Sequence, residues 1–111
     1  MDSRLLWGTV EMLILNVISR GPSYGYQISQ TVLAESRGYF ELKEGSLYPA
    51  LHRLERQKLL SSYWVDTPEG RRRKFYRLTP EGQAALEAKR QEWQQFSAGV
   101  DGVLGTSRGM A

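Results

Sequence analysis

A mainly α-helical fold with one small β-hairpin is what this sequence predicts, and three patterns predict it. Helix-length apolar patterns fill residues 4–58. Two strand-like runs, "LLSSYWV" and "RRKFYRLT", then flank the turn-forming "DTPEG". A long amphipathic stretch closes the chain. At 111 residues, with 41% hydrophobic and 24% charged, the chain has the size and balance of one soluble globular domain able to bury a core without staples. It has no cysteine, which excludes disulfides and thiolate zinc sites.

The first helix spans residues 4–19. Leu6, Val10, Leu13 and Val17 line one face, while Trp7, Met12, Ile14, Leu15 and Ile18 cover most of the rest. A helix apolar nearly all round is buried on several sides, which in so small a domain implies a second subunit. Gly8, Thr9, Glu11 and Asn16 interrupt the run and no cleavage signal follows it. It falls short of the roughly 20 apolar residues of a membrane span. The expected location is the cytoplasm, away from any membrane.

"RGPS" breaks this helix, and Ser23 is the expected N-cap of a second over residues 24–35, with Ile28 and Val32 inward. Residues 36–45 form a linker, with Gly38 stopping the helix and a short strand expected at Tyr39–Leu42. A third helix follows over 45–58. Leu47, Ala50, Leu51, Leu54 and Lys58 share its inner stripe. Pro49, His52, Arg53 and Arg56 lie opposite, with Ser46 and Tyr48 on the flanks. Pro49 is tolerated where the regular helix is only beginning.

A hairpin spans residues 59–79, and its return strand is basic. Residues 1–66 carry seven Lys/Arg and seven Asp/Glu, whereas "TPEGRRRKFYRL" carries five basic residues against Glu69 alone. Positive charge gathered on one segment is the mark of an anion-binding surface.

Thr79 caps the last helix, Pro80 takes its first position and Glu81 suits its dipole. Leu86, Trp93 and Val100 repeat every seven residues, with Phe96 and Val103 between, as in a coiled-coil seam. Gly99 and Gly102 loosen its end, so fraying is expected near 100–104.

Three helices, a basic hairpin and a helix with an uncovered seam make a winged helix-turn-helix plus a long C-terminal dimerisation helix. The expected division is a DNA-binding domain over 1–78, the dimerisation helix over 79–104 and a disordered tail over 105–111. The third helix then offers its outer residues to the major groove. Ser46 and Tyr48 bring hydroxyls, Pro49 an apolar contact, Arg53 a guanidinium, and His52 a side chain close to DNA. Arg71, Arg72, Arg73 and Lys74 on the wing add salt-sensitive affinity. His52 is the only histidine, and neither a metal cluster nor a catalytic constellation can be assembled, so enzyme activity is not expected. A winged-helix module serving protein or RNA contact would carry the same elements.

"GPSYGYQI", "LKEGSLYPALHRLERQKLLSSYW" and "EGRRRKFYRLTPEG" resemble the PadR family of bacterial transcriptional regulators over residues 5–104. The resemblance implies a homodimeric repressor of the small subfamily, bound to a pseudo-palindromic double-stranded DNA operator. A small planar aromatic effector releases it, the alternative being an effector-independent DNA-binding protein. It places Ser46, Tyr48, Pro49 and Arg53 in the groove and Arg71 to Lys74 on the wing. Tyr24 or Tyr26 reaches phosphate or packs in the core. The last helix packs on the partner's first helix, giving a dimer interface of Leu6, Val10, Leu13, Leu86, Trp93, Phe96, Val100 and Val103. Trp93 matches an aromatic that stacks on planar ligands or is simply the largest knob of the seam. Phe96, with Trp7 or Met12 of the partner's first helix, would complete the walls.

Overall fold

The computed structural model describes the backbone of residues 3–106 and the side chains from Gly8 to Thr106. In order, its elements are α1 (Ser3–Ser19), β1 (Ser23–Tyr24), α2 (Gly25–Glu35), α3 (Glu44–Arg56), β2 (Leu60–Asp66), β3 (Arg72–Leu78) and α4 (Pro80–Leu104). Leu6 and Trp7 belong to α1, but their expected contacts lie outside the described side chains.

Apolar spacing builds one core under all of these elements. Ile14, Leu15 and Ile18 of α1 meet Ile28 and Val32 of α2, and the inner stripe of α3, Leu47, Ala50, Leu51 and Leu54, closes over them. Leu60, Tyr76 and Leu86 add the sheet and the first turns of α4. Burying each large aliphatic chain contributes about 1.5–3 kcal/mol, so this packing, and not helix propensity, fixes the arrangement.

The sheet is antiparallel, in the order β1-β3-β2. Tyr63 pairs with Phe75, Trp64 with Lys74 and Asp66 with Arg72. The hairpin turn is held by Thr67, whose N–H donates to the Arg71 carbonyl at 2.8 Å, and by Gly70 at φ 84°. Its Oγ1 bonds the same carbonyl at 2.8 Å.

Several expectations change. Ser23 does not cap α2: it enters β1 and pairs with Tyr76, and Tyr24 becomes the cap residue, its N–H bonded to Gln27 Oε1 at 3.2 Å. No strand forms at 39–42, where only Leu42 is buried and Tyr39 stacks edge-on against Phe40 at the surface. Lys58 is not on the inner stripe of α3, because the helix ends at Arg56 and Lys58 turns the chain at φ 64°.

The start of α4 forms as expected, with Thr79 Oγ1 accepting from the Gly82 N–H at 2.9 Å and Pro80 at the first position. That hydroxyl also donates to the Lys58 carbonyl at 2.8 Å, joining the helix start to the turn between α3 and β2. Gly82 presses so closely on the Leu59 carbonyl that a Cβ has no room. The far end does not fray: α4 runs to Leu104 and Gly105 closes it in the left-handed conformation at φ 78°. Thr106 adds two bonds to Asp101, so residues 105–106 belong to the cap and not to a disordered tail. Residues 107–111 lie outside the described ones.

Candidate nucleic-acid interface

Helix α3 divides by amphipathicity into a buried stripe and an exposed face of Gly45, Tyr48, Pro49, His52 and Arg56. The helix starts at Glu44, so Pro49 lies beyond its first turn and withholds the N–H that would bond the Gly45 carbonyl. Both residues are exposed, which leaves that carbonyl open to solvent. Ser46 bonds back to the Lys43 carbonyl at 3.2 Å.

Arg53 departs from its expected position. It leaves the flank of α3 toward α1, where its Nε and Nη2 both donate to Glu11 Oε2, at 3.3 and 3.2 Å. On the opposite flank, Glu55 receives the Ser62 hydroxyl at 2.5 Å and sits 3.5 Å from Lys74 Nζ. Lys74 is therefore turned inward against α3 and does not project from the wing.

Strand alternation explains that turn. β3 sends Arg72, Lys74 and Tyr76 toward α3, and Arg73, Phe75 and Arg77 to the other face. Arg72 stacks 5.1 Å over Trp64 and lies 3.5 Å from Asp66, while Arg71 is exposed at the tip. Arg73 stacks 4.3 Å over Tyr24, whose ring meets Phe75 edge-on at 5.3 Å. Tyr24 is thus a packed platform for Arg73, and Tyr26 is the exposed tyrosine of the pair.

A concave surface of about 450 Å³ lies between α3 and the hairpin. Tyr48 and His52 line it from α3 and Trp64, Arg72 and Lys74 from the hairpin, with Tyr24, Gly25 and Tyr76 between them. Arg73 reaches it where it stacks over the Tyr24 ring. Burial pushes the Tyr76 phenol above its ordinary pKa, with the Glu55 carboxylate and then Tyr48 adding to the rise, so it stays neutral. The Tyr48 ring lies so close to Gly25 that a Cβ there would come within 2.5 Å of its hydroxyl. Trp64 is the member that sequence reasoning missed: 56% exposed, it faces this surface. Its place on β2, directly paired with the basic Lys74, was the available signal.

A second depression, about 350 Å³, lies between α1 and α4, lined by Gly8, Thr9, Met12, Lys89, Glu92, Trp93 and Phe96. The Trp93 and Phe96 rings are 5.7 Å apart. Met12 and Trp93 meet within one chain, so this wall does not need the partner's first helix. Val10 and Leu86, expected at the dimer interface, are buried in the protomer's own core, and Leu13 packs against it. Trp93, Phe96, Val100 and Val103 remain exposed. Among the described residues no group of His, Cys, Asp or Glu could hold a metal, and no helix is long and apolar enough to cross a membrane.

The model of the transcriptional regulator PadR-like family matches residues 14–88. The chain belongs to the PadR-like family. This PadR-like chain is 36% identical over 93 residues to a transcriptional regulator of Mycobacterium tuberculosis, a match covering 84% of this chain and 83% of that one. It resembles the PadR-like transcriptional regulator of Bacillus cereus with a TM-score of 0.80 at 32% identity, over 94% of this chain and 99% of that one. The PadR family regulator of Eggerthella lenta gives 0.77 at 34% identity, over 96% and 91%. The fold is a winged helix, and the PadR-like chain is a DNA-binding transcriptional regulator, not an enzyme.

Proposed function

We propose that this PadR-like regulator is a homodimeric repressor that reads a pseudo-palindromic operator and releases it when a planar aromatic compound stacks beside Trp93. The observation that carries the reading is the shared concave surface, where the exposed face of α3 and the basic strand β3 look onto the same space. Tyr48 and His52 meet base edges there, with Pro49 and Ser46 beside them on α3. Tyr26, Arg71, Arg72 and Arg73 engage the phosphate backbone. In the dimer, two such surfaces span successive major grooves about 34 Å apart.

The outer half of α4 supports the dimer, since Trp93, Phe96, Val100 and Val103 offer an apolar stripe that the protomer leaves uncovered. The groove under Trp93 supports the effector, because it combines two aromatic rings with Met12 and one charge of each sign, Lys89 and Glu92. An occupant shared with the interface would change the separation of the two heads and so the fraction competent for the operator.

Fluorescence anisotropy with DNA from upstream of its own gene, against a scrambled duplex at near-physiological salt, tests the reading. A preference of about a thousandfold or more supports it. Equal and steeply salt-dependent binding to both duplexes, repeated with DNA chosen by genome-wide selection, would sink it. Trp93→Ala should abolish release by planar compounds, and unchanged release would remove the effector site from Trp93.

A further inference from the structure

We propose that Glu11 is a positioning residue for DNA reading: from α1 it fixes the direction in which Arg53 leaves the recognition helix. The inference rests on the reading of α3 as that helix. Arg53 stands on the flank of α3, beside the exposed face that carries Pro49 and His52. Two donors of its guanidinium, Nε at 3.3 Å and Nη2 at 3.2 Å, converge on one oxygen, Glu11 Oε2. A guanidinium is a rigid planar fork, so holding one edge at two points sets the plane and direction of the opposite edge. A flexible arginine would otherwise sample many rotamers next to the DNA.

The alternative is that the pair merely ties α1 to α3. Both helices contribute to one core, α1 through Ile14 and Ile18 and α3 through Leu51 and Leu54. The side chains of Arg53 and Glu11 are 36% and 16% exposed, so breaking the pair also costs stability, and the base-pair readout is what separates the two roles. Glu11 itself lies well inside α1 and away from the concave surface, so its influence on DNA passes through Arg53.

Anisotropy with Glu11→Gln, Arg53→Ala and the double variant separates these roles, using the operator, single base-pair variants of it and a scrambled duplex. Glu11→Gln keeps size and removes the charge. Positioning predicts that its preference for operator over scrambled DNA falls about tenfold, with the loss concentrated at one base pair of each half-site. Arg53→Ala should lose discrimination at the same base pair, and Glu11→Gln should then change the preference no further. If Glu11→Gln instead tightens operator and scrambled DNA by the same factor, the carboxylate acts only as a charge and the proposal is overturned. Thermal melting checks the fold. Should Glu11→Gln fail to fold, Arg53→Lys keeps the charge, loses the two-donor edge and must show the same loss. A wild-type protein that prefers no sequence would overturn the DNA-reading function itself, and with it this role of Glu11.

Discussion

The two ends of the molecule are finished to different degrees. Around α3 and the hairpin, polar side chains find partners within the chain. Arg53 meets Glu11, Lys74 and Ser62 meet Glu55, and Arg72 and Arg73 lie on Trp64 and Tyr24. Along the outer half of α4 the apolar side chains are left partly or largely uncovered: Trp93 is 38% exposed and Val103 89%. The first end is preorganised for a charged partner and gives up little freedom on meeting one. The second leaves an apolar stripe uncovered, and exposed stripes of this kind mark interaction sites.

Stability should divide along this line. Leu86→Ala, at a fully buried position of α4, should cost about 2–5 kcal/mol in urea unfolding. Val103→Ala, on the same helix, should stay within about 0.5 kcal/mol under conditions where the protein is monomeric. Equal losses would break the comparison. Next comes the junction between the two ends. Gly82→Ala drives a methyl against the Leu59 carbonyl, which is backbone and cannot swing aside. Despite the better helix propensity of alanine, about 1–3 kcal/mol of destabilisation should appear as a lowered melting temperature.

Phe96→Ser sharpens the contrast from the other side, leaving the monomer nearly as stable while weakening self-association. Sedimentation velocity should show the dimer dissociating at roughly tenfold higher concentration, a loss of about 1.4 kcal/mol. An unchanged dimer would place the interface elsewhere. The smallest effect belongs to an exposed pair in neither region, Arg20 with Glu35 at 2.7 Å. Bonding to the Arg20 guanidinium holds the Glu35 carboxyl below its ordinary pKa. Its contribution is therefore present above the ordinary carboxylate range and is lost as pH falls through the lowered value. Melts of wild type and Arg20→Gln should differ slightly at pH 7 and converge toward pH 3. A difference that grows in acid would contradict the pairing.

Much of the fold was legible because local signals agreed with the packing. Leu47, Ala50, Leu51 and Leu54 announce the buried stripe of α3, and Thr79-Pro80 announces the start of α4. β1 was not legible, since Ser23-Tyr24 is a strand only through its pairing with Tyr76 and Phe75, some fifty residues away. The partner of Arg53 was hidden for the same reason: Glu11 is 42 residues distant and no spacing points to it. The seven-residue repeat of α4 was visible, but a repeat does not say which surface covers it. Its first member, Leu86, is buried in its own protomer's core, and the later members stay exposed.

The fit of Gly82 against Leu59, together with the Thr79 hydroxyl on the Lys58 carbonyl, anchors α4 at its root. The helix is then a rigid lever bolted to the reading head. Its 25 residues, at about 1.5 Å each, give an arm of roughly 37 Å. A tilt of about 5° imposed at the far end of such an arm carries the head by about 3 Å, close to one base-pair step. In the proposed dimer, mechanical advantage of this kind would let a slight change of angle where two arms cross put both heads out of register with the duplex.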